Sequence, residues 1–347
     1  MKTTIPVFFA SDDNYMPYLI ITMESIVQNA SKEYDYIFYI LNTGISEQNI
    51  ERAQKYNYGN FKVEFVNVDE KINKFGEALH TRDYYSKAIY YRLFIPSLFP
   101  QYKKAIYMDC DIIVQGDVSN LYNVSLGNNL LGAVSDEVVY ACEEFVEYTE
   151  NVLGVKAPNY FNSGVLLMNL EGLRAIDFEQ KFINIFGSYT FTVASDQDYI
   201  NVICKDKVTY IDNSWNKMPF VNTIKMEDVN LIHFNLTAKP WHYDNILYGD
   251  AFWKYAKQTD VYEIVLNEKN TYDIKNIQKD SECEVKLREM AKKQSQQKVK
   301  FFDLIQSGEI DSTTFLRNEL YDAKKFIQKI VSDLNSTVLT KCKKKNK

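Results

Sequence analysis

Two aspartates one residue apart, Asp109 and Asp111, follow the apolar run Ala105-Ile106-Tyr107-Met108. Residues two apart in a strand share a face, with about 6.6 Å of rise between them, so both carboxylates can lean toward one cation. An all-oxygen pair suits Mg²⁺ or Mn²⁺, and such an ion would bridge to a diphosphate and neutralise its charge. The alternative for Asp-x-Asp is an ordinary surface turn. His233 closes the apolar stretch Asn230-Leu231-Ile232 and stands six residues before Lys239, in Lys239-Pro240-Trp241-His242. A histidine there is otherwise a hydrogen-bonded core residue. As a ligand its imidazole would favour Mn²⁺ over Mg²⁺, and Lys239 could reach a phosphate as a point charge. Neither Gly-x-Gly-x-x-Gly nor Gly-x-x-x-x-Gly-Lys-[Ser/Thr] occurs, so a nucleotide would have to be held without a glycine-rich loop.

Positioning these groups takes a sheet. Ile5–Ala10 reads as a buried strand, and Leu19, Thr22, Met23, Ile26 and Val27 recur at helical spacing behind the polar start Ser11–Asn14. Tyr36–Leu41 is a second strand, Ser46–Tyr56 a helix, and Phe61–Asp69 a third strand with alternating Phe61, Val63 and Phe65. This β-α-β-α-β order predicts parallel strands covered by helices, with ligands at the strands' C-terminal ends. Tyr84–Pro100 reads as a helix leading into a strand at Ala105–Met108, which resumes as Ile112–Val114. Further strands are expected at Leu130–Ser135, Gly164–Asn169, Val208–Ile211 and Asn230–Phe234, with helices near Glu137–Leu153, Phe178–Ser188 and Asp196–Lys205. The class is α/β with a mixed sheet. Composition changes after about Tyr255: Thr271–Lys300 is rich in Lys, Glu and Gln, and over Thr313–Val338 apolar residues from Phe315 to Leu334 recur in helical steps. The expected division is a main domain over 1–265 and a helical C-terminal appendage over 266–347.

Composition narrows the function classes. With 347 residues, 46% apolar and 25% charged, the chain is long and greasy enough for a sizeable core. Forty Lys+Arg against 46 Asp+Glu give −6, which argues against a general nucleic-acid binder. The 26 Tyr and 21 Phe offer flat faces suited to sugar rings, and equally to core filling. The N-terminus reaches Ser11-Asp12-Asp13 before an apolar stretch could serve as an export signal, and no window approaches 18 uncharged apolar residues. Five scattered cysteines without a Cys-x-x-Cys pair disfavour a disulfide framework or a zinc knuckle and fit a reducing cytoplasm. Lys341–Lys347 holds five lysines in seven residues. That tail reads as a solvated end, or as a weak peripheral contact with anionic lipid at the inner membrane face, worth about 1 kcal/mol per lysine.

Six blocks in order carry a wider likeness: Phe9-Ala10-Ser11-Asp12-Asp13-Asn14-Tyr15; Tyr91-Arg92-Leu93; Tyr107-Met108-Asp109-Cys110-Asp111; Tyr160-Phe161-Asn162-Ser163-Gly164 through Leu170; Asp196-Gln197-Asp198; and His233 with Ala238-Lys239-Pro240-Trp241-His242. Over about residues 5–245 the chain closely resembles the family 8 glycosyltransferases, retaining enzymes that use nucleotide-sugar donors and include bacterial lipooligosaccharide galactosyltransferases and glycogenin-type enzymes. The resemblance implies a GT-A fold, a Rossmann-like nucleotide half joined to an acceptor half through one mixed sheet. It implies that Ala10, Asp12 and Asn14 line the uridine and ribose pocket and that Arg92 pairs with donor diphosphate or sugar hydroxyls. It further implies that Asp109, Asp111 and His233 hold Mn²⁺, with Mg²⁺ as the alternative, that Cys110 lies in the donor site between them, and that Lys239 contacts the diphosphate. Asp136, Asn162, Asp196 and Gln197 fall where the family meets the donor sugar, the last two as catalytic candidates. By residue type alone Arg92 is a helix-surface cation, Asp136 a strand-end carboxylate, Asn-Ser-Gly a turn and Ser195-Asp196 a helix N-cap. Asn235-Leu236-Thr237 departs from the family, which often carries Gly there close to the diphosphate.

The leading expectation is a Mn²⁺-dependent retaining transferase moving galactose or glucose from UDP to a hydroxyl of a glycan, lipid-linked sugar or glycoprotein. The runner-up is a catalytically silent member serving as a binding or chaperone partner of an active transferase. A sugar-nucleotide hydrolase or a nucleotidyltransferase is a third reading, and metal-dependent UDP release with and without acceptor separates them.

Overall fold

The structure is a computed structural model, and it describes residues 2–75, 86–220 and 224–310. Among the described residues nine strands run in chain order: β1 (Thr4–Ala10), β2 (Asp35–Asn42), β3 (Phe61–Asn67), β4 (Lys104–Met108), β5 (Ile112–Val114), β6 (Leu131–Ala133), β7 (Val165–Asn169), β8 (Val208–Tyr210) and β9 (Leu231–His233). Seven form one sheet in the order β3-β2-β1-β4-β7-β6-β8, and β5 pairs with β9 in a second, two-stranded sheet. From β3 to β4 neighbouring strands are parallel; β7 is antiparallel to both β4 and β6, and β8 is parallel to β6. The α/β class, the mixed sheet and the expected β-α-β-α-β start all hold.

Local sequence explains the parallel half. Ile5, Val7, Phe8 and Phe9 of β1 are fully buried because helices cover both faces, so the strand reads as a continuous apolar run. The helix Met16–Asn29 covers one face, with Pro17 in its first turn, where a missing N–H costs nothing. The helix Glu47–Gln54 starts at Ser46, whose Oγ accepts the Asn49 N–H. Two apolar clusters fill the two sides of the large sheet, one centred on Val7, Phe9 and Ile20, the other on Phe8, Tyr107 and Phe182.

Four expectations need correction. The expected helix over Tyr84–Pro100 is a 3₁₀ coil at Lys87–Phe94 followed by a single turn at Ile95–Leu98, residues 84 and 85 lying outside the described residues. Pro96 lacks the N–H that an α-ladder would aim at the Arg92 carbonyl, and the Ile95 N–H takes that carbonyl instead, one residue sooner. The expected helix Glu137–Leu153 is two, Glu137–Tyr140 and Glu143–Asn151, broken where Cys142 adopts extended backbone. Asp109-Cys110-Asp111 is not part of one strand: it is the bend through which the chain leaves the large sheet after β4 and enters the small one at β5. Ser195 is no N-cap; Ala194 holds that position, its N–H donating 2.9 Å to Asp198 Oδ2, while Ser195 itself takes φ +31°.

Beyond residue 249 the helices Gly249–Ala256, Tyr262–Thr271, Ile274–Ser295 and Phe301–Ser307 pack on the same body. Gln294 bonds the backbone at Thr190 and Thr192, and the Phe301 ring meets Phe191 edge-on. The helical pattern expected over Thr313–Val338 and the lysine tail lie outside the described residues. Among the described residues no helix is long and apolar enough to cross a membrane.

Candidate active site

In an open parallel sheet, ligands gather beyond the C-terminal ends of strands where the strand order reverses. That point lies between β1 and β4, and there the chain opens a cleft. Three strand pairings assemble it. Phe8 faces Tyr107 across β1 and β4, so Ala10 ends beside the Asp109–Asp111 bend, and the Cys110 thiol donates 3.2 Å to the Ala10 carbonyl. Met108 faces Val165, and Asp109 N–H donates to the Gly164 carbonyl at 2.8 Å, which brings Asn162-Ser163-Gly164 alongside. Ile112 faces His233, and Phe234 N–H donates to the Asp111 carbonyl at 2.9 Å. A histidine 124 positions after Asp109 thereby arrives beside it.

The resulting grip is compact. Asp109, Asp111 and His233 each offer one ligand atom, all within 4.8 Å of one another. His233 Nε2 lies 3.3 Å from Asp111 Oδ1 and 3.7 Å from Asp109 Oδ2. Two carboxylates and an imidazole form a donor set that suits a borderline divalent ion such as Mn²⁺. The backbone has been kept clear for it: a Cβ on Gly164 would sit 2.2 Å from His233 Cε1 and 2.7 Å from Asp109 Oδ2. Lys239, only 2% exposed, pairs with Asp111 Oδ2 and donates to the Phe234 carbonyl. Burial pushes the Asp111 carboxyl up, but Lys239 and His233 outweigh it and hold the group well below the ordinary carboxylate range.

Arg92 is 3% exposed, so the surface-cation reading fails. Its guanidinium spans two carboxylates, Nη2 to Asp109 Oδ1 at 2.8 Å and Nε to Asp196 Oδ2 at 3.0 Å, and donates to the Ser163 carbonyl at 2.7 Å. The Tyr107 ring lies 4.4 Å beneath it, and the Tyr107 hydroxyl donates to Asp109 Oδ1 at 2.8 Å. Burial opposes the charge on Arg92, yet the two aspartates overcome that and raise its pKa. Asp196 is pushed up to about 7, first by burial and then by Asp109, with Arg92 pulling the other way.

Gln197 accepts the Ser163 N–H at Oε1 (2.9 Å) and donates from Nε2 to Asp136 Oδ2 (3.0 Å) and the Tyr160 hydroxyl (3.2 Å). Asp136, 5% exposed, also accepts Asn162 Nδ2 at 3.2 Å and caps the helix Glu137–Tyr140; burial raises its pKa. Behind them Asp198 is fully buried and accepts the hydroxyls of Tyr148 (2.8 Å) and Tyr160 (2.7 Å).

Ala10, Asp12, Arg92, Asp109, Cys110, Asp111, Asp136, Asn162, Asp196, Gln197, His233 and Lys239 all line this one cleft. Asn14 does not; its N–H donates 3.0 Å to Asp12 Oδ1, and the residue opens on an adjoining cleft with Tyr18 and Trp241. Leu236, at the departure from the glycine pattern, takes φ +53° and lines both clefts. Residue-type reasoning missed Tyr107, Tyr160, Ser163, Asp198 and Asn216. The first four sit inside the quoted blocks, so their neighbours were the available signal.

A doubly covered sheet whose switch-point cleft gathers paired carboxylates, an imidazole and buried cations is the setting of a group-transfer enzyme, and its fold is GT-A. The family model for glycosyl transferase family 8 matches residues 6–245, and the chain belongs to that family. It is 34% identical over 221 residues to a putative glycosyltransferase of Haemophilus influenzae, covering 62% of this chain and 64% of that protein. It is 26% identical to the lipopolysaccharide 1,2-glucosyltransferase of Escherichia coli K12, over 72% of this chain and 76% of that one. The galactosyltransferase LgtC, solved in complex with donor and acceptor sugar analogues, superposes with a TM-score of 0.61 at 26% identity, over 74% of this chain and 96% of that one. The enzyme is a glycosyltransferase.

Proposed function

We propose that this enzyme moves a hexose, galactose or glucose, from a UDP-sugar to a hydroxyl of a glycan, lipid-linked sugar or glycoprotein, with retention at the anomeric carbon. The observation that carries the reading is one cleft holding Asp109, Asp111 and His233 on one side and Asp196 with Gln197 on the other. Asp109, Asp111 and His233 would hold Mn²⁺, which when bound supplies positive charge to a donor diphosphate. Ala10 and Asp12 face the nucleoside end, and Lys239 is poised to exchange Asp111 for a phosphate oxygen. Arg92 keeps Asp196 oriented, and burial of the site strengthens each of these contacts.

Retention without an enzyme nucleophile fits the side chains. Asp196 is engaged through Oδ2 by Arg92, the Gln197 carbonyl by the Ser163 N–H, and Asp198 by two tyrosines and the Ala194 N–H. The acceptor hydroxyl is therefore read as attacking the face the leaving group vacates. Its proton goes to the departing phosphate oxygen as the C–O bond to UDP breaks and the new glycosidic bond forms, while Asp196 and Gln197 stabilise the oxocarbenium-like centre.

The test is UDP release from a panel of UDP-sugars with Mn²⁺ and mixed acceptors, with the product anomer read by NMR. A single preferred UDP-hexose, an α-linked product and loss of more than 100-fold activity in Asp111→Asn are expected. An inverted product, or Mn²⁺-independent turnover, would overturn the reading.

A further inference from the structure

Backbone groups fix the donor and acceptor roles along a buried chain of amides, and that decides which nitrogen of His233 is left for a cation. The Gly164 N–H can only donate, and it donates to Asn162 Oδ1 at 2.9 Å. The Asn162 amide is thereby oriented, with Nδ2 turned to Asp136 Oδ2. The same Oδ1 receives Asn216 Nδ2 at 3.0 Å. Asn216 must then present its oxygen to His233, and Oδ1 stands 2.9 Å from Nδ1. That contact needs a proton on Nδ1, so the nitrogen left to meet a cation is Nε2, which faces Asp111 and Asp109. Asn216 is 1% exposed and His233 2%, so bulk solvent does not reach the contact.

We propose that Asn216 is a positioning residue of the metal site, holding His233 in the Nδ1–H tautomer and in the orientation that lets Nε2 coordinate, with its own polarity inherited from the Gly164 N–H through Asn162. The inference rests on the metal reading above. It extends to the sugar side, because the next backbone donor, Ser163 N–H, fixes the Gln197 amide in the same way. Two consecutive peptide N–H groups thus orient a metal ligand on one side of the cleft and a catalytic candidate on the other. Asn216 lies 17 residues before His233 and outside every motif the sequence displays.

The chain has three histidines, so long-range ¹H–¹⁵N correlation on the metal-free enzyme at pH 8.5 resolves the tautomer of His233. Free Mn²⁺ is titrated by EPR in parallel against wild type, Asn216→Leu and Asn216→Asp. The wild type is expected to show Nδ1–H. Asn216→Leu is expected to bind Mn²⁺ 10–100-fold more weakly. Asn216→Asp, whose carboxylate still accepts from Nδ1–H but no longer donates to Asn162 Oδ1, is expected to restore the proton on Nδ1 and to bind Mn²⁺ more tightly than the leucine variant. His233 with no proton on Nδ1 in the wild type, or Asn216→Leu binding Mn²⁺ as tightly as wild type, overturns the proposal. If the leucine variant does not fold, the wild-type tautomer decides alone. Wild type that binds no Mn²⁺ removes the metal reading, while the tautomer still decides the hydrogen-bond assignment.

Discussion

Gly164 shows how one missing carbon makes room for a site. Its hypothetical Cβ meets an imidazole carbon and a carboxylate oxygen, both held in place by other contacts, so Gly164→Ala has to push His233 or Asp109 aside. Overpacking of this kind typically costs about 1–3 kcal/mol. The expected result is lower thermal stability together with at least a tenfold loss of Mn²⁺ affinity, read by melting and by titration; unchanged affinity would mean the grip tolerates the shift. Asp196 makes a pH prediction. Its folded pKa, about 7, lies above the ordinary 3.8, so between those values the folded chain holds a proton the unfolded chain has lost. That contribution to stability is fully present below about pH 4 and disappears as pH rises through 7. The Tm of metal-free wild type minus that of Asp196→Asn, which cannot titrate, should therefore fall between pH 5 and pH 8. A flat difference would place the proton elsewhere. Much of the site was legible as residue types in order. Asn216 was not, because its role depends on the strand it lies against, and nothing in its local spacing records that.

At the scale of elements, the bend between β4 and β5 is held by a helix it does not belong to. Thr22, in the helix Met16–Asn29, points its hydroxyl at the Cys110 carbonyl (2.8 Å) and the Ile112 carbonyl (2.7 Å), and Ser25 Oγ accepts the Val114 N–H at 3.0 Å. Removing the hydroxyl leaves buried carbonyls without a donor, a loss of about 1–3 kcal/mol. Thr22→Val, close in volume, should lower the denaturation midpoint by that amount and weaken Mn²⁺ binding through the loosened bend. Loss of stability with unaltered affinity would confine Thr22 to a structural part. The strands of the parallel half were readable from continuous apolar runs and polar helix starts, within one or two residues at each end. What failed was continuity. Asp-x-Asp looked like one strand, because nothing in the four apolar residues before it or the three after it announces that the chain changes sheets between them. The 3₁₀ coil was likewise hidden by apolar positions that fit either helical period.

On the scale of the whole molecule, residues beyond the matched 6–245 reach the working cleft. Leu287, on the helix Ile274–Ser295, lines it beside Phe145 and Tyr148 of the Glu143–Asn151 helix. The ligands themselves come from two sheets, since Asp109 follows β4 of the large one and His233 ends β9 of the small one. A cation that binds only the docked arrangement adds RT ln(1 + [Mn²⁺]/Kd) to stability, about 2.7 kcal/mol at a hundred times Kd. The melting temperature should accordingly climb with Mn²⁺ in wild type and stay level in Asp111→Asn. A ribosome makes the first carboxylate long before the imidazole. An emerging chain would consequently have no complete cation trap until His233 has been polymerised and the small sheet has closed, so loading would serve as a receipt for finished assembly of the site.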